Sequence, residues 1–134
     1  MSQATAPYYA DYLPYYIFFL AMCSLYMVIG TTISTRKVFG QLYFQNSNIT
    51  GPGMRIWVPW MMISTGVRLG LFFHFGDKAW HDATMITFAA PIWYWMTEYF
   101  IYKTVLNSQF ATSMTFEITA FSWLWLTRDY VTGG

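Results

Sequence analysis

The sequence predicts an all-α membrane protein: four transmembrane helices in an antiparallel bundle, with both termini on the same side. Three observations predict it. Of the 134 residues, 56% are hydrophobic and only 10% charged, against roughly 25% charged in ordinary soluble domains. Seven basic and six acidic residues cannot cover the polar surface of a soluble domain of this size. The apolar residues also fall in long blocks, four of which approach the ~20 residues needed to cross a bilayer. Finally, the last three blocks are joined by turns so short that their helices must run antiparallel. The length allows one domain, 1–134.

The first span covers about 12–33 and contains the apolar run YYIFFLAMCSLYMVIG. The second, about 56–75, carries WVPWMMIS and then GVRLGLFF. The third, about 83–102, reads ATMITFAAPIWYWMTEYFIY. The fourth, about 110–126, is the shortest and most polar, since Glu117 and several Thr and Ser dilute it. A polar loop, 34–54, ends in the turn signal Gly51-Pro52-Gly53. Gly76-Asp77-Lys78 makes the second connection and Asn107-Ser108-Gln109 the third. Pro59 and Pro91 are expected to kink the second and third spans.

Orientation follows from the basic residues. One face carries Arg36, Lys37, Arg55 and Lys103, with no acid in its loops. The face with both termini carries Asp11, Asp77, Asp82 and Asp129 against Lys78 and Arg128. The positive-inside rule then turns the 34–54 loop to the cytoplasm, or to the matrix of a mitochondrion. The first span lacks the basic flank and cleavage site of a signal peptide, and no Arg-rich transit peptide precedes it. Aromatic residues gather at both rims, as an interfacial belt requires.

A net charge of +1 excludes the broad basic field of nucleic-acid binding. The single cysteine, Cys23, excludes an internal disulfide and a multi-cysteine metal site. Ionisable groups inside spans are costly and therefore candidates for function or for structural pairing. Counting ~1.5 Å per residue, Arg68 lies about 20 Å and Glu117 about 14 Å from the basic face. These two are expected to pair across helices. Glu98 lies about 9 Å in and is expected to snorkel towards Arg55 or Lys103. His74 and His81 flank a turn at one surface and read as interfacial polar residues. No catalytic set, phosphate loop or metal-ligand cluster stands out, so no catalytic, cofactor or metal residue is expected. Gly66 and Gly70 form a small-xxx-small face suited to close helix approach.

Several fragments resemble one family, the ergosterol biosynthetic protein 28 family of small four-span membrane proteins, over about 35–133. Thr35-Arg36-Lys37-Val38-Phe39 is similar to its TRKVY-like stretch. Arg55, a Trp/apolar run and Val67-Arg68 follow at the family's spacing. Glu98-Tyr99-Phe100-Ile101-Tyr102-Lys103-Thr104 resembles its Glu-Leu-Leu-Ile-Phe-Arg-Thr. The close, Trp123-Leu124-Trp125 through Arg128-Asp129-Tyr130 to Gly133, is similar as well. Cys23 and Tyr26 stand where the family has an amide pair, and Tyr94 where it has a histidine. The resemblance implies a non-catalytic tether in the endoplasmic reticulum that holds the sterol C-4 demethylation enzymes together.

The residues leave other classes open. One is a structural accessory subunit of a mitochondrial inner-membrane complex, a respiratory complex or ATP synthase. Another is a small transporter or lipid-binding protein that uses Arg68 and Glu117. The expected partners are membrane lipid and other integral membrane proteins, either sterol-synthesis enzymes or respiratory or ATP synthase subunits, with no nucleic acid.

Overall fold

A computed structural model describes residues 8–33 and 56–133. The 34–54 loop and Arg55, with the expectations that fall on them, lie outside the described residues. A 3-10 turn, Tyr8–Tyr12, leads into α1, Leu13–Ile33. Three further helices follow: α2, Trp57–Phe73; α3, Lys78–Thr97; and α4, Asn107–Thr132. Among the described residues the protein is all-helical.

Side-chain pairs fix the order of the bundle. Phe18 of α1 meets Phe72 of α2, and Ser24 meets Arg68, so the two run antiparallel. Trp57 near the start of α2 meets Trp95 near the end of α3. His81 near the start of α3 bonds the Leu124 carbonyl late in α4. Two apolar cores result. One gathers Leu13, Ile17, Leu20, Leu71, Met85, Phe88, Ala120 and Leu124. The other, at the opposite end, gathers Trp95, Val105 and Met114.

Among the described residues one segment, Ala10–Thr32, is long and apolar enough to cross a membrane by length and composition. Only 28% of that window is buried within the chain, so most of its surface is left for lipid or protein to cover. At 17 residues, α2 is ~26 Å long.

Several boundaries differ from expectation. The fourth helix, expected over 110–126 as the shortest, has 26 residues and is the longest described. Its hydroxyls hide their own polarity. Thr112, Thr115, Thr127 and Thr132 each donate to the carbonyl four residues back, a pattern compatible with a continuous helix. Asn107-Ser108-Gln109, expected as a turn, forms the first turn of α4. The reversal is instead made at Lys103, with φ 55, after a π-helical turn over Glu98–Tyr102. Helix α3 starts at Lys78 rather than 83 because Asp77 caps it, accepting from the Trp80 N–H at 3.1 Å. Pro59 sits in the first turn of α2, where a missing N–H costs nothing and no kink is required.

Candidate functional site

The two apolar cores are separated by a polar layer built on Arg68. Arg68 is 5% exposed, so every donor it turns inward needs an acceptor. Its Nη1 donates to Ser24 Oγ at 2.6 Å and its Nε to Thr87 Oγ1 at 3.3 Å. Its Nη2 donates to the Thr87 carbonyl at 3.2 Å. The guanidinium also lies 4.0 Å over the centre of the Phe88 ring, a favourable cation–π placement.

The Thr87 carbonyl is available because of Pro91. A helical carbonyl normally accepts from the N–H four residues on, and proline has none. Pro91, inside α3, is four residues after Thr87, and Arg68 supplies the missing donor. The two short hydroxyls are satisfied in turn: Ser24 donates to the Leu20 carbonyl and Thr87 to the Thr84 carbonyl. A cation from α2 thus ties α1 to α3.

Glu117 of α4 faces this layer. Its Oε2 stands 3.8 Å from Arg68 Nη2, within ion-pair range but too far for a hydrogen bond. That oxygen is buried and accepts no hydrogen bond from a described residue. Arg68 and Glu117 both line a cavity of about 490 Å³.

The other expected residues fall elsewhere. Lys103 meets Glu98 through its backbone N–H, which donates to the Glu98 carbonyl, and not through an ion pair. The Thr104 hydroxyl donates to the Glu98 carboxylate instead, because the π turn and the left-handed Lys103 fold the chain back over it. Arg55, its other expected partner, is outside the described residues. The small-residue face divides. A Cβ on Gly70 would lie 2.1 Å from the Trp80 ring, whereas one on Gly66 would meet nothing within 4 Å. Among the described residues, close approach is made at Gly70 and not at Gly66. His74 is exposed, but His81 is fully buried. It was expected at a wet rim, and the early start of α3 draws it inside the bundle instead.

A second ion pair ties α3 to α4. Arg128 bonds both oxygens of Asp82, at 2.7 and 2.9 Å, and its Nη1 reaches Asp129 at 3.3 Å. The hydrogen bond from Arg128 holds the Asp82 carboxyl below its ordinary value. A depressed folded value means that the contribution is present above the unfolded value of about 4 and is lost as pH falls through the folded one. Asp82→Asn should therefore lower the melting temperature at neutral pH, with the gap to the parent closing below about pH 4. A gap unchanged across that range would show that the pair does not bind the two helices.

An apolar four-helix bundle around one buried arginine, with one helix long and apolar enough to cross a membrane, defines a class, that of small all-helical proteins of membrane character. The chain belongs to the Erg28 like protein family, whose model matches residues 13–122. It is similar to Ergosterol biosynthetic protein 28 of Candida albicans, at 24% identity over 122 residues, which cover 88% of this chain and 86% of the relative. No solved structure matches it. The family match takes in α1, which the resembling fragments left out, and ends at Ser122, before their last fragment.

Proposed function

We propose that the protein is a non-catalytic scaffold of the endoplasmic reticulum membrane that tethers sterol-synthesis enzymes, those of C-4 demethylation in particular. The observation that carries this reading is the family match, which runs from the start of α1 into α4. The outer surface agrees with it. Phe73, Trp93 and Leu126 are 71%, 75% and 76% exposed, and side chains of that size need lipid or a partner to cover them. Neither match supports the accessory-subunit alternative in a mitochondrial complex. Affinity capture of the full chain from gently solubilised membranes should recover sterol C-4 demethylation enzymes. Recovery of respiratory or ATP synthase subunits in their place would overturn the proposal, as would turnover of a sterol substrate by the purified chain alone.

All four helices cross the membrane in this reading, with the 34–54 loop on the cytoplasmic side and both termini opposite. It rests on Arg36, Lys37, Arg55 and Lys103 sharing one face. The sequon Asn48-Ile49-Thr50 should then stay unglycosylated in reticulum membranes. A glycosidase-sensitive mass shift that disappears in Asn48→Gln would reverse the orientation.

A further inference from the structure

We propose that the cavity beneath the Arg68 layer is a binding site for one neutral lipid carrying a single hydroxyl. The inference goes beyond tethering and does not depend on it. At about 490 Å³ the cavity falls within the ~300–1,000 Å³ of small-molecule sites. Trp57, Trp60, Tyr94, Trp95 and Phe116 supply broad apolar walls. Only a few polar groups converge on it, as such sites require.

Those groups select the head of the ligand. Glu117 Oε2 is a buried acceptor without a donor. Arg68 carries five N–H groups, and its bonds to Ser24 and Thr87 leave donors over. The 3.8 Å between the two side chains is too long for a direct hydrogen bond and lets one oxygen serve both. A hydroxyl donates to Glu117 and accepts from Arg68 at the same time. A carboxylate or phosphate head would be set against Glu117, and an ammonium against Arg68. The two opposite charges therefore favour a head that is neutral and can both give and take a hydrogen bond.

Cys23 provides a native reporter. It lines the cavity, has an exposed side chain, and is the sole cysteine of the sequence. The full chain in phosphatidylcholine nanodiscs would be alkylated with an uncharged maleimide in the presence of cholesterol, dioleoylglycerol, oleate or cholesterol methyl ether. Cholesterol or dioleoylglycerol should slow Cys23 alkylation in a saturable way, and whichever does so identifies the body of the ligand. For a protecting sterol, the methyl ether, which keeps the acceptor and loses the donor, should bind about tenfold more weakly. Dioleoylglycerol with its hydroxyl methylated gives the same comparison for the other body. Ser113→Phe, which fills the cavity from α4 without touching the Arg68 hydrogen bonds, should abolish protection while the melting temperature holds. Three results overturn the proposal: no protection by either neutral lipid, stronger protection by oleate, or an ether as effective as its parent alcohol. The ether comparison uses the unaltered chain and decides the matter even where Ser113→Phe misfolds.

Discussion

Arg68→Met should cost ~3–5 kcal/mol of folding free energy, the loss expected when one member of a buried charged network is removed. The side chain is 6% exposed and its ionic neighbour Glu117 19%, so water does little to soften the loss. Three groups lose their donor at once: Ser24 Oγ, Thr87 Oγ1 and the Thr87 carbonyl. The carboxyl of Glu117 loses its countercharge. Equilibrium unfolding in mixed micelles would measure the change, and a loss below about 0.5 kcal/mol, that of an ordinary surface substitution, would dismiss the layer as a stabilising element. The repair is specific as well. Adding Glu117→Met removes the stranded charge, and apolar replacement of a whole buried ion pair is often neutral. It leaves the Thr87 carbonyl bare, because Pro91 still offers no N–H. Only the further change Pro91→Ala returns a donor to that carbonyl, so full recovery should require all three substitutions.

Much of the architecture was legible because hydropathy and loop length are strong signals. Blocks such as YYIFFLAMCSLYMVIG and the short Gly76-Asp77-Lys78 connection leave few alternatives to antiparallel helices. The length of α4 was not legible for a physical reason: a hydropathy count charges Thr112, Thr115 and Thr127 as polar, while their bonds to carbonyls four residues back cancel the cost. Depth counting brings Arg68 near Glu117, and the two stand 3.8 Å apart. It cannot see that the hydrogen bonds of Arg68 go to Ser24 and Thr87, short side chains that barely disturb an apolar run. Thr87 precedes Pro91 by four residues, which marks a carbonyl in need of a donor. The bond from Thr104 to the Glu98 carboxylate was not legible because counting a uniform rise per residue misses both the π turn and the left-handed Lys103 that bring Thr104 back.

Gly70 and Gly66, equivalent as a sequence pattern, should behave as opposites when substituted. A Cβ on Gly70 would lie 2.1, 2.4 and 2.6 Å from three ring carbons of Trp80, distances at which atoms overlap. Trp80 has little freedom to retreat. It packs against the apolar core of Leu71 and Phe88, stacks on His74 with 14° between the rings, and starts α3 with its N–H on Asp77. Gly70→Leu therefore has to push α2 and α3 apart, and overpacking of that kind costs ~1–3 kcal/mol or more. At Gly66 a new side chain meets open space, and leaving glycine in a helix interior gains up to ~1 kcal/mol. Melting curves should place Gly70→Leu well below the parent and Gly66→Leu level with it or above. A Gly70→Leu chain as stable as the parent would mean that Trp80 does not seal the α2–α3 contact. The scaffold reading adds a second axis, because a surface that packs on nothing among the described residues can pack on a partner. Should α2 dock sterol-synthesis enzymes through that face, Gly66→Leu strips them from the captured complex with stability intact, whereas Gly70→Leu loses them only in proportion to unfolded protein.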